Sequence, residues 1–186
     1  MRLVLASASP RRAELLIAAG YTFEVLPVDV DEGVREGESP AAYVERVANA
    51  KAAKGLARCP GATVLGADTV VIVDGDRILG KPSDCDQARE MLCALSARTH
   101  QVLTGVAVHT TSGRWSAVES TTVEFAPLTE EDLDWYLSAD EWRDKAGAYG
   151  VQGRAGRFIP RIDGSYSNVV GLPVALVARL FRQAGL

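Results

Sequence analysis

Residues 5–12, Leu-Ala-Ser-Ala-Ser-Pro-Arg-Arg, put two hydroxyls and two guanidinium groups into one short stretch of chain. The apolar run Leu3, Val4, Leu5 enters this stretch and an apolar-periodic segment through Gly20 leaves it, the pattern of a strand that turns into a helix. Ser9 suits an N-cap and Pro10 the first helical position. Arg11 and Arg12 then fall in the first turn, where the helix dipole disfavours each cation by roughly 0.3–1 kcal/mol. An anion held by the backbone N–H groups, the Ser hydroxyls and two guanidinium forks reverses that sign. Two readings stay open on these residues alone: a phosphate site, or a capped surface helix carrying two solvated arginines.

Asp68 is the second chemically pointed residue. It interrupts Val64-Leu65-Gly66-Ala67-Asp68-Thr69-Val70-Val71-Ile72-Val73, otherwise a strand buried on both faces. A buried carboxylate needs a cation or a metal beside it, and Gly66, two residues earlier on the same face, leaves room for a ligand. The bland counterpart is a surface Asp at a strand end. Lys51 continues the stripe of Val44 and Val47 on a helical pattern, so it either snorkels at the helix end or reaches a buried anion. Residues 75–81 imitate the start of a phosphate loop, but Pro82 replaces its Ser/Thr and the setting is strand–turn–strand, which rules that motif out. Lys81 remains a point-charge phosphate contact or a solvated hairpin lysine. The acidic run Asp29-Val30-Asp31-Glu32 offers hard oxygen ligands for Mg²⁺ or Mn²⁺, or is simply hydrated. Glycines 147, 150, 153 and 156 flank Tyr149 and Gln152, where backbone can approach a ligand or form a mobile loop. His100 and His109 lack a partner nucleophile motif, and Ser165 is not in a G-x-S-x-G elbow, which argues against a Ser-His-Asp hydrolase. Trp115, Trp135 and Trp142 read as packing residues.

Alternating strand and helix patterns must position these groups. The spacing predicts strand 2–6, helix 10–19, strand 22–27, an acidic loop 28–38 and helix 40–57 between Ser39-Pro40 and Cys59-Pro60-Gly61. Strand 63–73 turns at Asp74-Gly75-Asp76 into a hairpin with residues 77–80. Helix 84–96, paired strands 100–110 and 114–126, and a helix from Thr129 to about Ser138 follow. A glycine-rich loop 146–156, a strand 157–162 and a C-terminal helix Pro173–Ala184 complete one α/β unit over residues 1–186 with a mixed sheet. Of the 186 residues, 47% are hydrophobic and 24% charged, an ordinary globular composition. A net charge of −4 argues against broad binding to nucleic acid or anionic membranes, so any basic site is local. Three scattered cysteines without zinc spacing read as structural thiols of a reducing compartment. With no signal-peptide order and no long apolar run, the expected location is cytoplasmic.

The ordered motifs resemble the Maf family of nucleoside triphosphate pyrophosphatases almost end to end. The matching segments are Ser7-Ala-Ser-Pro-Arg-Arg12, Asp31-Glu32, Asn49-Ala-Lys-Ala52, Gly66-Ala-Asp-Thr-Val-Val71 and Gly80-Lys-Pro82. They continue through Leu95-Ser-Ala-Arg-Thr-His100, Thr104-Gly-Val106, Asp144-Lys-Ala-Gly-Ala-Tyr-Gly-Val-Gln-Gly153 and Gly164-Ser-Tyr-Ser-Asn-Val-Val-Gly-Leu-Pro173. Ala97 stands where the family usually has Gly. The resemblance implies an elongated α/β fold similar to inosine-triphosphate pyrophosphatases, with two lobes around a cleft and often a homodimer. It implies hydrolysis of a nucleoside triphosphate to the monophosphate and pyrophosphate, dependent on divalent Mg or Mn. Thr69 and Gln152 resemble the branch acting on dTTP and UTP, and they are expected to read the base. Asp68 is expected to orient or deprotonate the attacking water and, with Glu32, to bind metal. Ser7, Arg11, Arg12, Lys51 and Lys81 are expected to hold the triphosphate. Two alternatives remain at this point: a nucleotide-binding regulator of cell division with little turnover, and a pyrophosphatase for purine or modified purine triphosphates.

Overall fold

A computed structural model describes residues 2–186. In chain order the elements are β1 (Leu3–Leu5), α1 (Pro10–Ala18), β2 (Glu24–Val25), α2 (Pro40–Arg58), β3 (Thr63–Val73) and β4 (Arg77–Leu79). Then come α3 (Cys85–Leu95), β5 (Thr99–His109), β6 (Arg114–Glu124), α4 (Glu130–Leu137), β7 (Arg161–Asp163), α5 (Tyr166–Val170) and α6 (Val174–Gln183). Seven strands form one sheet in the order β2-β1-β3-β5-β6-β7, with β4 paired to β3. β1 runs parallel to both β2 and β3, whereas β3–β4 and β6–β7 are antiparallel. The sheet is therefore mixed, and the fold class is the α/β one that the alternating pattern predicts.

The chain divides into two compact units. The first comprises the chain up to Thr69, Thr104–Glu119 and Gly171–Leu186. Its main core joins Leu5, Leu16, Leu65, Val106, Leu172 and Phe181, so that α1 and α6 pack their apolar stripes on the buried faces of β1, β3 and β5. Helix α2 sits close to the same strands because three glycines admit it. A Cβ on Gly66 would lie 2.7 Å from the Ala52 amide nitrogen, one on Gly105 would meet the Val44 carbonyl group, and one on Gly55 would lie 2.7 Å from Val64. The ligand space expected beside Gly66 is thus filled by helix backbone. Ser39 caps α2 by accepting from the Ala42 N–H.

The second unit comprises Val70–Leu103 and Ser120–Val170. Its core gathers Leu92, Leu95, Phe125, Tyr136, Trp142, Tyr149 and Phe158. Thr129 and Asp132 form a reciprocal capping box that starts α4. The strand expected at 157–162 starts late and runs over Arg161–Asp163. Residues Arg154–Phe158 form a 3₁₀ turn and pairing begins only at Arg161, since glycines 153 and 156 favour a turn and Pro160 has no N–H to give a ladder. The strand expected at 22–27 shrinks to Glu24–Val25, which pair with Val4 and Leu5 of β1. Helix α5 was not foreseen. Its start is fixed by the Ser165 hydroxyl, which accepts from the Asn168 N–H, in a segment whose β-branched residues argue against a helix. Cys59 is buried, but Cys85 and Cys93 are exposed on α3, and the cysteines of the chain are free thiols. The latter two are therefore not core residues. No helix among the described residues is long and apolar enough to cross a membrane.

Candidate active site

Lys51 lies on the inward face of α2, with Val44, Val47, Ala48 and Ala52 as buried neighbours on that face. Its ammonium does not snorkel outward. Lys51 Nζ donates to Asp68 Oδ1 at 2.8 Å and pairs with Glu32 Oε1 at 2.6 Å. The Lys51 and Asp68 side chains are only 10% and 11% exposed, whereas Glu32 is 48% exposed. One arm of this bridge is therefore desolvated and strong, and the other is open to water. Asp68 owes its position to the middle of β3, whose neighbours Leu65, Ala67, Val70 and Val71 are all buried.

Glu32 is placed by a loop that α2 holds down through polar side chains. The Tyr43 hydroxyl donates to the Glu32 carbonyl oxygen at 2.9 Å, and Arg46 Nη2 donates to the Gly33 carbonyl oxygen at 2.8 Å. Arg46 also forks onto Glu38, which holds that carboxyl down to about 2. Lys54 Nζ donates to the Asp29 carbonyl oxygen. Burial, with the negative charges of Asp68 and Glu32 nearby, pushes the Tyr43 phenol up to about 12, so it stays a donor. Asp31 turns inward on its own loop and accepts from the Gly33 N–H at 2.9 Å. Of the acidic run, Glu32 is the residue that meets Asp68 at a common cation.

Arg12 does not point to solvent. It is buried, and four of its five N–H donors are engaged by protein acceptors. Nε donates to the Gly171 carbonyl oxygen at 2.8 Å, and Nη1 to the Ala67 carbonyl oxygen at 2.9 Å and Ser7 Oγ at 3.2 Å. Nη2 donates to Thr69 Oγ1 at 3.0 Å. Burial lowers the Arg12 pKa, and the charge of Asp68 opposes that loss. Ser7 Oγ accepts from Arg12 and from the Ser9 N–H at 3.2 Å. Both of its lone pairs are then occupied, and the hydroxyl can act only as a donor. Thr69 Oγ1 meets three partners: Arg12, Thr104 Oγ1 at 2.9 Å and the Gly171 carbonyl oxygen at 3.3 Å. Ser9 precedes α1 as expected, yet its side chain makes no cap bond.

The structure brings Ser7, Arg11, Arg12, Glu32, Lys51, Asp68 and Thr69 into the first unit. Arg11 is half-buried in the first turn of α1. Lys81 and Gln152 belong to the second unit, and both are exposed. Within that unit the Gly147 N–H donates to the Gly80 carbonyl oxygen at 3.0 Å, tying the segment before Lys81 to the loop that carries Gln152. The glycines of that loop serve packing rather than a ligand. Gly147, at φ +67°, would put a Cβ 2.9 Å from Val71, and a Cβ on Gly150 or Gly153 would strike Lys145 or Glu141. Tyr149 anchors the loop: its hydroxyl lies 2.8 Å from His100 Nε2, and both rings stack edge-on against Phe125. Burial lowers the His100 pKa to about 4, so the ring is neutral.

Sequence reasoning missed Tyr43, Thr104 and the carbonyl of Gly171. Tyr43 shares the 43, 47, 51 stripe with Lys51, which is a readable signal. Thr104 is a lone polar residue in the buried run Val102-Leu103-Thr104-Gly105-Val106, the same signal that singles out Asp68. Gly171 carries none, because a carbonyl has no side-chain identity.

Comparison with known proteins covers the whole of this architecture. A family model described as "Maf-like protein" matches residues 2–184. The dTTP/UTP pyrophosphatase of Symbiobacterium thermophilum is 51% identical over 184 residues, spanning 99% of this chain and 94% of that protein. The dTTP/UTP pyrophosphatase of Anaeromyxobacter sp. (strain Fw109-5) is 52% identical over 189 residues, covering 99% and 90% of the two chains. The protein of the same name from Shewanella oneidensis is 46% identical over 194 residues, with both chains covered completely. A solved structure, that of the Staphylococcus aureus Ham1 protein, is 16% identical, with a TM-score of 0.48 over 68% of this chain and 72% of that one.

Proposed function

The chain belongs to the Maf family, and we propose that it is a nucleoside triphosphate pyrophosphatase acting on dTTP and UTP with a divalent metal. The names of relatives at 46–52% identity support the reaction class. The observation that carries the site is the convergence of Asp68 and Glu32 on the single cation Lys51, beside a turn whose Ser7 hydroxyl can only donate.

In this reading Asp68 takes a proton from the attacking water. The water oxygen bonds to the α-phosphorus, the bond from that phosphorus to the bridging oxygen breaks, and pyrophosphate leaves. Lys51 orients the Asp68 carboxylate through its 2.8 Å bond and neutralises charge on the triphosphate. Ser7 donates to a phosphate oxygen, and Arg11 supplies further positive charge. Arg12 contributes by fixing Ser7 and Thr69 rather than by a fork on the phosphates. Thr69 reads the base.

Two carboxylates that share one cationic centre are hard donors suited to Mg²⁺ or Mn²⁺. Glu32 and Asp68 would hold the ion, and no group of three His, Cys, Asp or Glu side chains assembles among the described residues. The bound ion supplies Lewis-acid polarisation of the phosphate. A homodimer belongs to the same proposal, and sedimentation at assay concentrations reads it.

The test is pyrophosphate release from dTTP, UTP, dCTP, dATP and dGTP with Mg²⁺ or Mn²⁺. Wild-type protein is expected to favour dTTP and UTP, and Asp68→Asn to lose turnover while keeping its circular dichroism spectrum and nucleotide binding. Asp68→Asn turnover near the wild-type rate would overturn the assignment of the base. A purine nucleotide as best substrate would overturn the assignment of the substrate.

A further inference from the structure

We propose that Thr104 is a positioning residue for substrate choice: its buried hydroxyl fixes Thr69 as a hydrogen-bond donor, and so selects a base that presents a carbonyl oxygen there. The proposal rests on the reading that Thr69 faces the base.

Proton direction follows from counting. Thr104 is fully buried in β5, and its hydroxyl has Thr69 Oγ1 as its one hydrogen-bond partner among the described residues. A buried hydroxyl proton is not left without an acceptor, so Thr104 donates to Thr69. Arg12 Nη2 can only donate, and it also points at Thr69 Oγ1, 3.0 Å away. Both lone pairs of the Thr69 hydroxyl are then filled, and its own proton is the one thing it can offer. In this structure that proton goes to the Gly171 carbonyl oxygen at 3.3 Å. This is the longest of the three bonds, and the Gly171 carbonyl oxygen already accepts from Arg12 Nε at 2.8 Å. Handing the Thr69 proton to a ligand therefore leaves no buried carbonyl unpaired. Thr69 is also the half-buried member of the set, whereas Arg12, Thr104 and Gly171 are buried.

A donor with no accepting capacity discriminates between uracil and cytosine. The two rings share their size and their O2 carbonyl. Uracil and thymine carry an acceptor oxygen at C4, where cytosine carries a donor amine. A donor facing an amine leaves two N–H or O–H groups opposed, the case in which a polar site rejects a wrong partner most strongly. Thr104→Val keeps the shape of the side chain but empties one lone pair of Thr69. The Thr69 hydroxyl can then accept from the amine.

The experiment measures kcat/KM for UTP and CTP with the full chain as wild type, Thr104→Val, Thr104→Ser and Thr69→Val. Thr104→Val is expected to lower the UTP:CTP ratio about tenfold, the size of one hydrogen bond, chiefly through a rise in kcat/KM for CTP. A residue with only a structural role would lower both values together. Thr104→Ser restores the hydroxyl and is expected to keep the wild-type ratio. A ratio within twofold of wild type in Thr104→Val, when Thr69→Val collapses it, overturns the role of Thr104 alone. An unchanged ratio in Thr69→Val overturns the assignment of Thr69 to the base and this inference with it. Should Thr104→Val lose its folded circular dichroism spectrum, Thr104→Ala carries the same comparison.

Discussion

Replacing Lys51 by Met tests the bridge at the centre of the first unit. The substitution keeps the length and apolar stem of the side chain and removes its charge. Asp68 then sits 11% exposed without its ammonium, and removing one partner of a buried pair costs about 3–5 kcal/mol. The Glu32 arm, 48% exposed, adds at most about 1 kcal/mol because water replaces the lost contact. Arg12, whose pKa reflects the field of Asp68, offsets part of the loss. A cost near the lower bound, about 3 kcal/mol, is expected. With an urea m-value of roughly 2 kcal/mol/M, the unfolding midpoint at pH 7 falls by about 1.5 M. The double variant Lys51→Met/Asp68→Asn removes both charges and is expected to recover at least half of the Lys51→Met loss, so the coupling is at least about 1.5 kcal/mol plus whatever Asp68→Asn costs alone. Urea titration followed by circular dichroism reads all four corners of the cycle. A single-variant cost below about 1 kcal/mol, or strict additivity in the cycle, would refute the account of Asp68 as a buried charge held by Lys51.

Other perturbations read the rest of the molecule. His100 has a folded pKa lowered to about 4 by burial, against 6.5 for the free side chain. Stability from this group is complete above pH about 6.5 and is lost as pH falls toward 4, by up to about 3 kcal/mol. Denaturant titrations between pH 7 and 4.5 should show that loss and should show it diminished in His100→Gln; parallel curves for the two proteins would exclude His100 as its source. Arg12→Lys cannot reach four acceptors with one ammonium and is expected to lower stability by roughly 2–4 kcal/mol, about 5–12 °C in Tm. An unchanged melting temperature would mean that the fork is dispensable. Gly66→Ala would place its methyl against the backbone of α2, so a loss of about 1–3 kcal/mol is expected, whereas an unhindered site gains about 0.4–1 kcal/mol from the same change. A more stable Gly66→Ala would show that α2 yields there.

Legibility in the sequence followed the range of each signal. Periodicity located α1, α2, β3 and α3 within a residue or two, because each has a one-sided or fully apolar pattern and a Pro, Ser or Gly at its end. The strand expected from 157 starts only at Arg161 and α5 carries no expectation, because the local propensities there oppose the outcome. A Phe-Ile-Pro run looks extended, and Tyr-Ser-Asn-Val-Val does not look helical until the Ser165 cap and the burial of Asn168 and Val170 are known. Asp68 was legible because a single charge in an apolar strand is conspicuous. Its partner was only half legible, since the stripe position of Lys51 fits snorkelling and a buried bridge equally well. The glycines misled for a general reason. A missing side chain announces that something comes close and does not say whether that is a ligand or, as at Gly66 and Gly147, another part of the chain.

The two arginines of the first helical turn show how tertiary structure rewrites a local electrostatic argument. A cation at a helix N-terminus is unfavourable on its own, and an external anion is the simplest remedy that sequence can suggest. For Arg12 the remedy is internal. Two carbonyl oxygens and two hydroxyl oxygens surround its guanidinium, and the charge of Asp68 stabilises it. Arg12 converts its buried charge into polarity at two hydroxyls, since it fills a lone pair on Ser7 and another on Thr69. In the proposed reading Ser7 meets a triphosphate and Thr69 a carbonyl-bearing base, both of them acceptors, so a single buried cation prepares donors for each.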